Sequence, residues 1–217
     1  MDKELAAAEQ QWLDLWARGP RRVRWDRIPL QVGDVAPDLE LLDHTGASTR
    51  LSSLWTGKTA LILFWRHFGC SCGRDRAARL RDEYTELIDL GCTVVIIGQA
   101  APDRSAKYRN RNGIACPILC DPEEIAYRAF DVLEGTTAQV LFDAPDEFLA
   151  GELSAGIELA ASRHETERAS VDNPFLLPAE FVITDGIVQL AYRYQYCEDF
   201  PDARVLTSAV RFGGAPT

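Results

Sequence analysis

Two unbroken apolar runs, at residues 59–65 and 92–98, constrain the fold of this chain more than any other feature. A strand with one wet face alternates apolar and polar residues. Leu61-Ile62-Leu63-Phe64-Trp65 and Val94-Val95-Ile96-Ile97 do not alternate, so both are predicted to be central strands covered on both faces. Between them, Ala77, Leu80, Tyr84, Leu87 and Ile88 form an apolar stripe at helical spacing over residues 71–90, and Gly91 ends it. This alternation predicts an α/β fold: a central mixed sheet with helices on both faces.

The flanking segments fit that frame. Leu5, Trp12, Leu13 and Trp16 share one helical face, and Gly19-Pro20 stops the helix, so residues 3–18 are predicted as a helix outside the core fold. Arg21, Arg22, Arg24 and Arg27 follow in a connector that carries Trp25. Residues 1–30 are therefore read as an N-terminal helix and connector, and 31–217 as the main domain. Residues 39–51 suggest a short hairpin around Thr45-Gly46, and 51–54 a helical turn. A helix over 103–111 and a strand over 114–119 follow. Asp121 is positioned to cap a further helix, with Pro122 in its first turn. Residues 136–175 interrupt the pattern and read as a helical insertion, with the helix over 145–164. Residues 181–183 and 187–192 flank Thr184-Asp185-Gly186, a strong hairpin signal. The last helix is placed over 201–210.

Cys70-Ser71-Cys72 lies where the first buried strand gives way to the helix. Free N–H groups and partial positive charge at a helix start stabilise a thiolate. Arg66, His67, Arg74 and Arg76 add positive charge nearby. Cys70 is the favoured nucleophile because it precedes the helix, with Cys72 as resolver. Two residues apart on a helix means about 200° of rotation, so a bridge requires Cys70 in the loop and a helix beginning near Ser71 or Cys72. His67 has three readings: a polar surface residue, a base or charge partner for the thiolate, or a metal ligand with the cysteines and the distant His164. Cys92, Cys116 and Cys120 read as core or strand-end thiols. Cys197 reads as a loop thiol, with a remote resolving role as the alternative. Tyr192, Tyr194 and Tyr196 alternate along one strand face.

Composition limits what such a site can serve. A formal net charge of −10 opposes a nucleic-acid surface. No apolar run approaches the ~20 residues that span a bilayer. Residues 1–6 lack a secretory pattern, so a cytoplasmic location is expected. Neither G-x-G-x-x-G nor a P-loop occurs, so no bound cofactor is expected.

Several segments resemble the thioredoxin-like superfamily, and within it the alkyl hydroperoxide reductase/thiol-specific antioxidant family with its peroxiredoxin-like members. They are residues 33–42 (G-x-x-A-P-x-x-x-L), 46–58 (G-x-x-x-x-L-S-x-L, then G-K), the strand into Phe64-Trp65, Cys120-Asp121-Pro122-Glu123 with Tyr127, and the hairpin after Pro178. Arg66-His67-Phe68-Gly69-Cys70 resembles an R-x-F-x-C-x-x-C active-site segment, except that the second cysteine arrives one residue early and Gly73 takes its slot. Counted from Phe64, Cys70 aligns with the threonine of ordinary peroxiredoxins, and their peroxide-attacking sulfur aligns with Gly73. Pro178 stands where peroxiredoxins carry an arginine. It resembles the cis-proline of thioredoxins, whose backbone meets a substrate disulfide.

The resemblance implies a thioredoxin-like fold with an N-terminal helix and an insertion before the closing hairpin. The leading expectation is a thiol–disulfide oxidoreductase using Cys70 and Cys72, assisted by His67, Arg66 and Arg74, with Leu177, Pro178 and Phe68 meeting the substrate. The alternatives are a peroxiredoxin-like thiol peroxidase and a metal-binding or redox-sensing protein without turnover. The expected partners are a disulfide or hydroperoxide substrate and a thiol electron donor. Homodimerisation stays open.

Overall fold

The computed structural model describes residues 2–141 and 172–213. Among them, seven strands form one mixed sheet: β1 (Glu40–Asp43), β2 (Ser48–Arg50), β3 (Thr59–Phe64), β4 (Thr93–Gly98), β5 (Ile118–Cys120), β6 (Ala179–Thr184) and β7 (Ile187–Arg193), in the order β2-β1-β5-β4-β3-β6-β7. β3, β4 and β5 run parallel, and the other pairings are antiparallel. The helices are α1 (Asp2–Arg18), α2 (Ser52–Trp55), α3 (Ser71–Asp89), α4 (Pro102–Arg111), α5 (Ile125–Ala129), α6 (Thr137–Leu141) and α7 (Ala203–Gly213).

β3 is central and fully buried, as its lack of alternation requires. Ala60, Ile62 and Phe64 enter one layer with Trp55, Tyr127 and Phe130, while Leu61, Leu63 and Trp65 enter the other with Leu80, Leu87 and Tyr108. Burying each large apolar side chain stabilises the fold by about 1.5–3 kcal/mol. β6 and β7 join through Asp185 (φ 48°) and Gly186 (φ 81°), the pair of positive angles that a tight hairpin turn demands.

Four expectations need correction. The strand placed over 114–119 is only Ile118–Cys120, because Pro117 has no N–H to donate to a ladder. The helix after Pro122 begins at Ile125, since Glu124 adopts φ 57°. Asp121 still caps it, accepting the N–H groups of Ile125, Ala126 and Tyr127. Ile88 is 43% exposed and leaves the apolar stripe of α3. The N-terminal helix is not outside the fold: Trp16 meets Phe175 with ring centroids 4.8 Å apart. The connector is bound down too, with Trp25 Nε1 donating to Asp131 O (2.9 Å) and Arg27 paired with Asp131 (2.7 Å).

The insertion expected over 136–175 is described only at its ends, and its helix over 145–164 lies outside the described residues. The two ends are stitched together: Gly135 N–H donates to Phe175 O (2.7 Å) and Leu177 N–H to Leu133 O (3.0 Å). Residues 172–177 thereby become a wall beside the cysteines. Among the described residues, no helix is long and apolar enough to cross a membrane.

Candidate active site

β3 delivers the chain to the site. Trp65 N–H continues its ladder to Ile97 O (2.9 Å), and a turn closes when Cys70 N–H donates to His67 O (3.1 Å). Cys70 is the N-cap of α3, with extended backbone at φ −75° and ψ 137°, and Cys72 lies in the first turn. The loop position that a Cys70 nucleophile requires is therefore present. N-cap side chains usually accept a backbone N–H, but Cys70 makes no such bond.

Its sulfur is engaged elsewhere. Arg66 Nη1 donates to Cys70 Sγ at 3.0 Å, and the thiols of Cys197 and Cys72 pack in the same buried cluster. Hydrogen bonds from Cys197 and Cys72, then the charges of Arg66 and His67, outweigh burial and hold the Cys70 thiol well below its ordinary value. The same contacts with Cys197 and Cys70, together with burial, push Cys72 well above it. Cys197 is pushed up to about 12, chiefly by its bond to Cys70. Cys70 is thus the thiolate of the three.

Arg66 is buried and charged. Burial opposes the charge, but the sulfurs of Cys197, Cys70 and Cys72 favour it and raise its pKa overall. Its other donors reach Leu176 O (3.1 Å) and Pro174 O. His67 is also buried, which removes its surface reading. Its Nδ1 accepts Gly69 N–H at 3.2 Å, and its ring lies within electrostatic reach of both Cys70 and Asp172. Asp172 takes a two-pronged ion pair from Arg104 (2.8 and 2.7 Å) and accepts Phe68 N–H. Burial raises its carboxyl, but the bonds and charge of Arg104, and the charge of His67, hold it below the ordinary carboxylate value.

Other predicted site residues are placed differently. Arg74 is exposed on α3. Arg76 is buried against carboxylates, paired with Glu180 (2.7 Å) and Glu83 (2.8 Å), and Tyr194 Oη donates to Glu180 at 2.6 Å. Phe68 stacks on Tyr108 (4.0 Å, 8°) in the α4 layer, apart from the cluster that holds the cysteines. Leu177 does join that cluster, with Cys70, Cys72, Cys197, Val140 and Phe175. Pro178 lines a cavity of about 10 Å³ with Arg66, Cys72, Cys197 and Phe200, room for about one water. The cis bond implied for Leu177–Pro178 is absent. The bond is trans, within a stretch that pairs at Leu176 with Glu134 and runs straight on into β6. The expected tyrosine alternation also breaks, because β7 ends at Arg193 and Tyr194 turns inward.

All six cysteines are free thiols. Burial raises Cys92 to about 11 and Cys116 to about 12, and also raises Cys120, which fits core thiols. Among the described residues, no three His, Cys, Asp or Glu side chains are grouped to hold a metal, and His164 lies outside them.

Cys197 is the residue that sequence reasoning undervalued. β6 runs antiparallel to β3 and β7 antiparallel to β6, so Phe64, Ala179 and Arg193 lie level at one end of the sheet. A cysteine shortly after β7 must therefore fall beside the end of β3. The hairpin signal at Asp185-Gly186 already contained that geometry. Asp172, Arg104 and Glu180 carried no local signal.

A central strand that feeds a helix headed by thiols, with an antiparallel hairpin closing the sheet beside them, defines a thioredoxin-like protein. The chain belongs to the AhpC/TSA family, whose model matches residues 32–191, a stretch that includes Cys70 and Cys72 and ends before Cys197. It is 28% identical over 104 residues to the thioredoxin-like protein AAED1, chloroplastic, of Arabidopsis thaliana, covering 48% of this chain and 42% of that one. It is 26% identical over 108 residues to peroxiredoxin Bcp of Bacillus subtilis, covering 48% and 66%. The chain thus spans less than two thirds of the length of either relative. Peroxidoxin BcpB from Mycobacterium tuberculosis shares the fold at TM-score 0.60 and 20% identity, over 86% of this chain and 99% of that one.

Proposed function

We propose that this chain is a thiol peroxidase, in which the Cys70 thiolate reduces hydroperoxides. The observation that carries this reading is the setting of Cys70. It sits at the N-cap of α3, facing a buried guanidinium at 3.0 Å, with two further thiols packed in the same buried cluster. Thiolate attack on peroxide needs an ionised sulfur and a donor for the oxygens. Arg66 supplies positive charge at that point. Membership of the AhpC/TSA family and the likeness to a peroxiredoxin support the same chemistry.

Access favours peroxide over a protein disulfide. Cys70 is only 5% exposed, and the cavity lined by its neighbours Arg66, Cys72 and Cys197 has room for about one water. A peroxide group fits that scale, whereas a folded protein's disulfide does not. The expected order of thiol–disulfide exchange first and peroxidase second is therefore reversed. A wider cleft of about 330 Å³, lined by Trp25, Leu177, Pro178, Arg193 and Gln195, shares Pro178 with the thiol cavity. It offers an external thiol donor a place to approach.

The test is hydrogen peroxide consumption with a dithiol reductant, compared with Cys70→Ser. Loss of turnover in that variant supports the reading. Undiminished turnover, or disulfide reduction with no peroxide consumption, overturns it in favour of thiol–disulfide exchange.

A further inference from the structure

Once Cys70 is oxidised, a second thiol must close the cycle, and the structure offers two. Cys72 lies in the first turn of α3, two residues after Cys70 at its N-cap. A bridge between them would close a small ring over one intervening residue, a strained geometry for a disulfide. Cys197 approaches on a separate segment beyond β7. It packs in the same buried cluster as Cys70, free of any constraint from α3.

We propose that Cys197, rather than its neighbour Cys72, is the resolving cysteine that forms the disulfide with Cys70. This rests on the peroxidase reading above and names the partner within that site. In the first step the Cys70 thiolate attacks a hydroperoxide. The O–O bond breaks, an S–O bond forms, and the departing alkoxide or hydroxide takes a proton, leaving Cys70 as sulfenic acid. In the second step the Cys197 sulfur attacks the Cys70 sulfur. An S–S bond forms, the S–O bond breaks, and the hydroxyl leaves as water with the Cys197 proton. An external dithiol then returns two electrons to the bridge.

The surroundings of Cys197 suit it to act second. While Cys70 is a thiolate, their mutual bond and charge keep the Cys197 proton on. Oxidation of Cys70 removes both effects. The hydrogen bond from Cys72 and the charge of Arg66, which favour the Cys197 thiolate, remain. Cys72 is also relieved when Cys70 is oxidised, but its interaction with Cys197 and its burial still hold its proton. Its role is to donate its S–H within the triad. Before oxidation the Cys197 thiol also donates to Gln139 O (3.2 Å) and Val140 O (3.4 Å) of α6, so bridging withdraws a donor from that helix.

The test is peptide mapping by mass spectrometry after one equivalent of hydrogen peroxide, with remaining thiols blocked by alkylation. The expected result is a Cys70–Cys197 link in the wild type and in Cys72→Ser. In Cys197→Ser the link should be lost and Cys70 sulfenic acid should be trapped by dimedone. A predominant Cys70–Cys72 link in the wild type, or a sulfenic acid that accumulates in Cys72→Ser but not in Cys197→Ser, overturns the proposal. Diamide, which oxidises thiol pairs without peroxide chemistry, separates it from the parent reading. If peroxide leaves Cys70 untouched but diamide links it to Cys197, the pairing stands and the peroxidase reading falls. If diamide links Cys70 to Cys72, the pairing falls.

Discussion

Arg66 and Cys70 stand at the two ends of one tight turn, and the guanidinium Nη1 meets the sulfur at 3.0 Å. The turn places a fixed positive charge against the first residue of α3. Replacing Arg66 with Gln removes that charge, so the Cys70 pKa rises from its depressed value towards the ordinary 9.0. Wild-type Cys70 stays ionised well below pH 9, and the variant loses its thiolate across that window. The rate of iodoacetamide alkylation at pH 6–7 should fall, by up to about tenfold for each unit by which the pKa rises above the assay pH. Arg66→Lys keeps the charge and should retain part of the effect.

Gly73 marks the slot that the family's attacking sulfur fills. A Cβ there would stand 2.6 Å from Tyr108 Oη and 2.7 Å from Trp65 Nε1, two ring-borne groups that are themselves hydrogen-bonded at 3.0 Å. Gly73→Ala should cost about 1–3 kcal/mol through overpacking, seen as a lower Tm. Gly73→Cys should be at least as unstable, and in a Cys70→Ser background it should not restore peroxide consumption.

Asp172 binds Arg104 and the Phe68 amide while its pKa is depressed. A depressed carboxyl adds stability that is fully present above its unfolded value and is lost as pH falls through the lower folded one. Wild-type stability should therefore decline below about pH 4 with a contribution that Asp172→Asn lacks. Urea unfolding at pH 3 and pH 7 measures it: the gap between the two proteins should be large at pH 7 and narrow at pH 3.

Arg76 and Glu180 form a buried ion pair at 2.7 Å, with Tyr194 on the same carboxylate. Arg76→Met strands the buried Glu180 carboxylate and should cost about 3–5 kcal/mol, whereas Glu180→Gln should cost less because Arg76 keeps Glu83 at 2.8 Å. Replacing both with apolar residues of similar volume should cost less than the sum. Denaturant unfolding of the three variants checks the non-additivity.

Much of the sheet was legible because its strands are extreme. β3 and β4 carry a polar side chain only at their first positions, Thr59 and Thr93, and Asp185-Gly186 can do little except turn. The first half of the site was legible for the same local reason: Cys70 and Cys72 sit where strand yields to helix. The second half was not local. Asp172 finds Arg104 only through the folded loop stem, and Glu180 finds Arg76 across the layer between β6 and α3. Local patterns also misjudged His67 and Arg76. As polar residues near a loop they read as surface or as thiol partners, whereas the fold buries one beside Asp172 and spends the other's charge on two carboxylates.

The charge on Arg66 has a consequence for the oxidised protein. In the reduced state this buried cation is balanced by sulfur anionic character, while its other acceptors, the carbonyls of Pro174 and Leu176, are neutral. Converting Cys70 to a disulfide erases that balance and leaves a guanidinium facing an uncharged sulfur in a nearly dry pocket. In the proposed cycle the oxidised form would be penalised relative to the dithiol, so a Cys70 bridge would be a willing electron acceptor: the charge that favours the thiolate also favours its return.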